Sequence, residues 1–397
     1  MIRLSQFVSN ITPSATEETS FLANQLRRRG IDILSFAQGE PDFETPDRIK
    51  DAGKKAIDQG YTRYTDVPGI HDLRIAVAEK FKRENSIDYD PAEVMTSAGA
   101  KHALYVLFRS VLDPGDDVLV ATPCYVSYAE QIKLAGGNPC YFKTRPEQNF
   151  RPLCRDIESA LTPNTKALVL NSPNNPTGAV VQKDELHKIA DLAVEKNFLV
   201  ITDEVYEHLC YDNNQHLSIA SLNEDIKART VTINSASKTY AMTGWRVGYA
   251  GGPREIINAM SELQGHASGN VAEMCQWAAI TALQIDKAVI DNMVAAYGRR
   301  RDLMVDRINA IDGLQCRKPD GAFYVFADIK DLLGRKWEKG ILQNDFDVTQ
   351  FFLKKAHVAI IPGTAFNYQN YVRFVFAKSE KDINQGFDRI AKAVSRL

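Results

Sequence analysis

Five short, almost entirely apolar runs in the middle of the chain constrain its fold more than any other feature. They occupy 118–123, 139–142, 167–171, 198–203 and 231–234, with helical patterns between them. Strands that are buried on both faces have this character, whereas half-exposed strands alternate apolar and polar residues. The pattern therefore predicts an α/β fold with a mostly parallel sheet that helices cover on both faces.

The chain outside this central pattern predicts a second, smaller unit of helices and strands. A long, charged helix at 280–311 would link it to the sheet. An N-terminal helix is expected over 17–29, with Thr16 as its N-cap. The other elements predicted for the two ends of the chain are strands over 31–37, 321–328, 358–363 and 371–376, and a helix over 381–395.

Charge and cysteine usage exclude several classes of function. The formal net charge is −2 with both signs interspersed, which argues against nucleic-acid and membrane-surface partners. No apolar run is long enough to span a bilayer, and the N-terminus lacks the pattern of a secretory signal. The six cysteines are scattered without a C-x-x-C pair, which argues against disulfides and a zinc site. We therefore expect a cytoplasmic protein with reduced thiols and no bound metal.

The segment 234–253 holds a single lysine, Lys238, with Ser235 before it and Arg246 eight positions later. Because a predicted strand ends just before it, Lys238 is expected on a turn at the strand's end. A lysine amine can form a Schiff base with an aldehyde, and pyridoxal phosphate is the common aldehyde cofactor. Serine hydroxyls and an arginine fork suit a phosphate group. A solvated loop lysine beside a structural arginine is the alternative for this segment.

Two further strings place polar side chains at the ends of predicted strands. Asp203 ends the run 198–203, and Tyr206 follows three residues later. An aspartate can keep a pyridine nitrogen protonated, and a phenol can donate to a ring oxygen. Asn175 lies in a turn made rigid by two prolines and a glycine. A helix-capping aspartate with a packed tyrosine, and a turn without function, are the alternatives.

Weaker signals come from a helix start, a buried charge and a glycine turn. Gly99 and Ala100 open a predicted helix after a strand, where free N–H groups and the helix dipole favour phosphate. Arg373 lies among apolar residues of a predicted strand, which is costly without a partner. A buried salt bridge is the alternative for this arginine. Gly39 would allow the backbone to approach a ligand closely.

These strings, in the order in which they follow one another along the chain, resemble those of the class I pyridoxal-phosphate-dependent aminotransferases, and most of all the bacterial aspartate aminotransferases. The matches are S-x-S-K followed by G-W-R-x-G, D-x-x-Y, and N-P-T-G. The resemblance implies the fold-type I architecture of these transferases, with a mostly parallel sheet in the large domain. It also implies a large pyridoxal-phosphate-binding domain over 46–290 and a smaller, discontinuous α+β domain over 1–45 and 291–397.

The resemblance also implies a role for each matching residue. Lys238 would hold pyridoxal 5'-phosphate and act as the base. Tyr125 falls where the family has an aromatic ring stacked on the pyridine, often a tryptophan, so the tyrosine is a mild departure. The other implied contacts are phosphate for Ser235, Arg246, Gly99 and Ala100, the ring nitrogen for Asp203, the 3-oxygen for Tyr206 and Asn175, and the substrate α-carboxylate for Arg373.

Tyr64 matches a family tyrosine that reaches the phosphate in the neighbouring subunit. The resemblance therefore implies a homodimer with shared active sites. An exposed loop tyrosine is the alternative for this position.

The resemblance favours aspartate and 2-oxoglutarate as substrates, converted to oxaloacetate and glutamate by ping-pong transamination. Lys101 would bind the distal carboxylate, aided by the segment 14–16; a lysine on a solvated helix face is the alternative. Relatives that accept prephenate tend to carry a basic residue where this chain has Thr12, which argues against that activity. Aromatic or alanine transamination, and a carbon–sulfur lyase on the same fold, are the alternatives.

Overall fold

The computed structural model describes residues 11, 15–338 and 340–397. The strands are β1 (Leu34–Ser35), β2 (Val94–Ser97), β3 (Asp117–Thr122), β4 (Asn138–Lys143), β5 (Thr165–Asn171), β6 (Leu199–Asp203), β7 (Thr230–Ser235), β8 (Gly248–Gly251), β9 (Gln315–Cys316), β10 (Tyr324–Asp328), β11 (Lys336–Trp337), β12 (Gly340–Ile341), β13 (Val358–Ala359), β14 (Ile361–Pro362) and β15 (Tyr371–Val375). The α-helices are α1 (Ala15–Arg28), α2 (Asp47–Asp58), α3 (His71–Asn85), α4 (Ala100–Val111), α5 (Ser127–Ala135), α6 (Cys154–Glu158), α7 (Lys183–Lys196), α8 (Glu224–Lys227), α9 (Ala236–Thr239), α10 (Arg254–Ala267), α11 (Glu273–Leu283), α12 (Lys287–Asn309), α13 (Asp345–Phe351) and α14 (Glu380–Val394).

The large sheet has seven strands in the order β2-β8-β7-β6-β5-β3-β4. Strand β8 runs antiparallel to both of its neighbours, and the pairs from β7 to β4 are all parallel. The five apolar runs of the sequence form β3 to β7, and apolar clusters pack against the sheet between it and the helices. The predicted α/β fold with a mostly parallel sheet is thereby confirmed.

Adjacent registers bring three strand ends together at one edge of this sheet. Asn171 pairs with Asp203, and Asp203 pairs with Ile233, two residues before the end of β7. Because the carboxyl ends of parallel strands open at the same edge, the loops after β5, β6 and β7 share one crevice. The sheet therefore gathers the predicted functional strings.

The smaller sheet is antiparallel, in the order β14-β15-β10-β9. The N-terminal strand β1 pairs with β13, so that Leu34 lies opposite Val358. Phe36 also packs in the same apolar cluster as the strands and helices of the C-terminal part. These contacts support the proposal of a discontinuous small domain over 1–45 and 291–397, beside a large domain over 46–290.

Several element boundaries differ from the prediction. The expected helix over 280–311 is two helices, because Asp286 caps a new start by accepting from the N–H of Ala288 at 2.9 Å. The expected strand over 358–363 divides into β13 and β14, which belong to different sheets. Helix α1 already includes Thr16, so the prediction of that residue as its N-cap was wrong.

Strand β8 was not predicted, because two of its four residues are glycines, which weaken strands. The structure shows why glycine is needed at its start. A Cβ atom on Gly248 would lie 2.4 Å from the carbonyl carbon of Gly99. The close approach of β8 to the start of α4 therefore requires glycine there.

Two further sequence expectations concern the cysteines and membranes. All six cysteines are unpaired. Within the described part of the chain, none of the helices has the length and apolar character needed to cross a bilayer.

Candidate active site

A cavity of about 310 Å³ opens at the carboxyl edge of the large sheet, where the loops after β5, β6 and β7 meet β10 and β15. It brings together most of the side chains that the sequence singled out. Its lining includes Gly39, Ala100, Lys101, Tyr125, Asn175, Asp203, Tyr206, Ser235, Lys238, Arg246 and Arg373.

Lys238 reaches the cavity from α9, the short helix that directly follows β7. Its Nζ donates a hydrogen bond to the carbonyl oxygen of Gly39 at 2.6 Å. Burial lowers the pKa of this amine to about 8, and the charge of Glu40 partly offsets that effect. The amine is therefore a better nucleophile and base near pH 7 than that of a solvated loop lysine, since a larger fraction of it is neutral.

Asp203 ends β6 and is 5% exposed. Its Oδ2 accepts a hydrogen bond from the hydroxyl of Tyr128 at 2.7 Å. Burial raises the pKa of Asp203 to about 6, and the hydrogen bond from Tyr128 opposes this rise. The carboxylate is thus fixed in direction and able to hold a proton on a basic ligand atom.

Tyr206 is buried and lines the cavity, and its hydroxyl lies 2.6 Å from that of Tyr324 on β10. Burial raises the pKa of Tyr206 well above its ordinary value, so the phenol keeps its proton. Tyr324 also explains the glycine at position 39, because a Cβ atom there would lie 2.3 Å from the Tyr324 hydroxyl.

Arg373 on β15 is 2% exposed and has no carboxylate within 4.0 Å among the described residues. Its Nη1 donates to the amide oxygen of Asn175 at 2.9 Å, and its Nη2 donates to the carbonyl oxygen of Ala37. Its Nε has no partner in the described part of the chain. Because a buried charge without a counter-ion is costly, this arrangement fits an anionic ligand rather than a structural salt bridge.

An anion-binding cradle lies where β8 meets the start of α4. No side chain caps the helix, and Gly99 precedes it with φ of 88°. The guanidinium of Arg246 crosses this point, donating to the carbonyl oxygen of Ala98 at 3.0 Å, and a Cβ atom on Gly99 would lie 2.4 Å from its Nη2. Helix N–H groups, a guanidinium and the nearby hydroxyl of Ser235 together suit a phosphate.

Of the remaining predicted residues, Lys101 and Tyr125 line the cavity and Tyr64 does not. The Nζ of Lys101 lies 5.8 Å from the centre of the Tyr125 ring, and both side chains line the cavity. Tyr64 is 98% exposed and does not line the cavity. Thr12 and Ser14 lie outside the described residues.

Sequence reasoning missed Tyr128 and Tyr324. Tyr128, near the start of α5, follows Tyr125 by three residues, and this spacing is a weak signal for a shared site. Tyr324 lies in a strand that was predicted, but its contact with Tyr206 spans 118 residues of sequence, and no local pattern encodes it.

The fold and the cavity together define an α/β enzyme. Its cavity offers a lysine amine and a buried carboxylate, and the guanidinium groups of Arg246 and Arg373 suit anionic ligands at two separate places. Lys238 and Asp203 form one side of the cavity, and Arg373 lies on strand β15 of the smaller sheet.

Comparison with known proteins identifies the family. The sequence model of the family described as aminotransferase class I and II matches residues 31–390. An aspartate aminotransferase from Bacillus sp. (strain YM-2) is 40% identical over 391 residues, covering 98% of this chain and 99% of the relative. An aspartate/prephenate aminotransferase from Thermus thermophilus is 41% identical, with 99% of each chain covered. The chain therefore belongs to the class I and II aminotransferase family, as its sequence predicted, and is an aminotransferase.

The fold agrees with this assignment. The solved structure of the Thermus thermophilus aspartate aminotransferase with maleate matches this chain with a TM-score of 0.93 at 41% identity. The match covers 99% of this chain and 100% of that one.

Proposed function

We propose that this aminotransferase uses pyridoxal 5'-phosphate to transfer the amino group of aspartate to 2-oxoglutarate. The observation that carries the proposal is the buried guanidinium of Arg373, which lacks a carboxylate partner and lines the same cavity as the amine of Lys238. A carboxylate and an aldehyde are the ligands that these two groups suit.

The residues of the cavity fit the proposed cofactor. Arg246, Ser235 and the first N–H groups of α4 would bind its phosphate, and Gly99 leaves the space that the Arg246 guanidinium occupies. Asp203 would hold a proton on its ring nitrogen, while Tyr206 and Asn175 would donate to its 3-oxygen. When bound, such a cofactor supplies an aldehyde and an electron sink for amino-acid chemistry.

The chain's own residues supply the proton transfers and the orientation. Once its amine is free, Lys238 can remove the α-proton of a substrate, because its pKa of about 8 leaves part of it neutral near pH 7. Arg373 would fix the α-carboxylate in a two-pronged contact, and Tyr125 would stack on the ring. This pre-set geometry lowers the entropic cost of reaching the transition state.

Aspartate is the preferred substrate because the cavity offers a second cation. Lys101 lines it together with Arg373, so that a dicarboxylic substrate could have both ends neutralised. The Thermus thermophilus structure named with maleate, a dicarboxylate, supports this choice, as do the names of the relatives. Prephenate appears in the name of the Thermus thermophilus relative. It is disfavoured for this chain, because relatives that accept prephenate tend to carry a basic residue where this chain has Thr12.

A substrate panel with Lys101→Ser tests the choice. The variant should lose kcat/KM for aspartate about tenfold to a hundredfold more than for alanine, as expected for one lost charge-assisted contact. Equal losses for the two amino acids would show that Lys101 does not bind the distal carboxylate, and would favour alanine or aromatic substrates.

We further propose a homodimer in which Tyr64 completes the phosphate site of the partner subunit. Its almost full exposure and its absence from the cavity of its own chain support this arrangement. Mixed dimers of a Tyr64→Phe chain with a Lys238→Ala chain provide the test. In the mixed dimer, only the site of the Tyr64→Phe chain contains Lys238. If sites are shared, the Lys238→Ala chain supplies an intact Tyr64 to that site, which should then have the activity of a wild-type site. If that site is only as active as a site of the Tyr64→Phe homodimer, the shared-site proposal is contradicted.

A further inference from the structure

A buried polar cluster lies directly behind the cavity and is not used by the proposed chemistry. It joins α3 to the ends of β6 and β7, and its side chains are almost completely enclosed by protein. Burying charged groups is costly unless they are paired and hydrogen-bonded, so such a cluster requires a specific arrangement. Its members are Lys80, Asn85, Glu204, Glu207, His216, Ser218 and Asn234.

Glu207 is the centre of this cluster. Its Oε1 accepts hydrogen bonds from the buried ammonium of Lys80 and from the Nδ2 of Asn234, the latter at 2.8 Å. Its Oε2 accepts from the Nδ2 of Asn85 at 2.6 Å. Burial alone would raise the pKa of Glu207, but the charge of Lys80 and two histidines outweigh it and lower the pKa to about 2. The group is therefore a carboxylate at every working pH.

Asn234 connects this carboxylate to the cavity. Its Nδ2 donates to Glu207, and its Oδ1 accepts from the backbone N–H of Ser235 at 2.7 Å. Because a carboxylate only accepts, it fixes which end of the amide faces it and thereby which end faces Ser235. Ser235 in turn caps α9, the helix that carries Lys238, by accepting from the N–H of Ser237 at 3.3 Å.

We propose that Glu207 is a positioning residue that, through Asn234, sets the place of Ser235 in the phosphate cradle. The inference rests on the proposed function, since it assigns Ser235 to the cofactor's phosphate. Glu207 follows Tyr206 directly in sequence but is turned away from the cavity, so its effect must pass through the amide.

Glu204 provides a matched control inside the same cluster. It is also buried and ionisable, yet it accepts from Thr202 at 2.9 Å and from Ser218, and within the described structure it makes no hydrogen bond with Asn234. Replacing Glu204 removes a similarly buried carboxylate but leaves intact the hydrogen bonds from Asn234 to Glu207 and from Ser235 to Asn234. Glu204, Glu207 and His216 also come close enough to hold a metal ion, but the ammonium of Lys80 already compensates Glu207, and we assign no metal.

The test compares the affinities of cofactor-free protein for pyridoxal phosphate and for pyridoxal, which lacks the phosphate. Glu207→Gln places an amide where every neighbour is a donor, and Asn234→Ser is too short to reach Glu207. Each should raise the Kd for pyridoxal phosphate about tenfold, the size of one lost charge-assisted bond, and that for pyridoxal less than twofold. Glu204→Gln should leave the ratio of the two affinities at the wild-type value.

A double variant adds a second readout. If Asn234 acts through Ser235, then the loss in affinity for pyridoxal phosphate caused by Asn234→Ser should largely disappear in a Ser235→Ala background. Equal losses for both ligands, or the same change of ratio in Glu204→Gln, would show that Glu207 only stabilises the fold and would overturn the inference. Failure of the wild-type chain to bind pyridoxal phosphate would instead overturn the proposed function on which the inference depends.

Discussion

The cavity has two halves whose charges are held in different ways. On the large-sheet side, Asp203 is fixed by a hydrogen bond from the side chain of Tyr128. On the small-sheet side, Arg373 is held by an amide oxygen and the carbonyl of Ala37, with no counter-anion in the described residues. A carboxylate fixed by a protein donor suits a cofactor that stays bound, whereas a buried cation without a counter-anion suits an anionic substrate that exchanges at every turnover. This difference supports the proposal that the first half holds the cofactor and the second half receives the substrates.

Replacing Lys238, on the large-sheet side, should have the largest effect. Lys238→Ala removes the amine that we propose both holds the aldehyde and acts as the base, so turnover should fall by at least about 10⁴-fold. The visible absorbance of the lysine-bound aldehyde should also disappear. An unchanged spectrum on adding pyridoxal phosphate to this variant would refute the assignment of Lys238.

Much of this comparison could be predicted from the sequence, because its local signals coincide with strand ends. The apolar runs predicted the parallel sheet, and the strings around Lys238, Asp203 and Asn175 were expected to be ligand-binding because the sheet delivers them to one edge. The contact between Tyr206 and Tyr324 could not be predicted, since it depends on how the smaller sheet packs against the larger one. Strand β8 was not predicted for a related reason: the glycine at its start is required by the close approach of Gly99, and glycine has a low strand propensity.

Arginine-to-lysine changes in the two halves should separate their functions. Arg373→Lys keeps the charge but loses the two-pronged fork, so kcat/KM for aspartate should fall about a hundredfold while the Kd for pyridoxal phosphate changes less than twofold. Arg246→Lys is the matched control in the other half and should weaken pyridoxal phosphate binding most. Steady-state kinetics and cofactor titration of both variants provide the measurement. A loss of cofactor affinity in Arg373→Lys as large as in Arg246→Lys would remove the distinction between the halves.

The pH dependence of cofactor uptake should be the smallest effect, and it concerns the large-sheet half alone. Burial lowers the pKa of Lys238 to about 8, so its neutral fraction falls about tenfold for each pH unit below that value. The rate of condensation of pyridoxal phosphate with cofactor-free protein should therefore rise up to about pH 8 and then level off. Stopped-flow absorbance measures this rate, with Lys238→Ala as the blank. A rate that still rises through pH 10 would indicate an ordinary, hydrated lysine.

The half-reaction of the loaded enzyme with aspartate alone, without 2-oxoglutarate, tests the central claim most directly. Transamination by one resident cofactor predicts one oxaloacetate per active site, after which the reaction stops until 2-oxoglutarate is added and glutamate forms. Rapid-quench analysis of the products measures this stoichiometry. No oxaloacetate, or continuous release of a keto acid and ammonia without 2-oxoglutarate, would contradict the assignment of the chain as an aspartate aminotransferase.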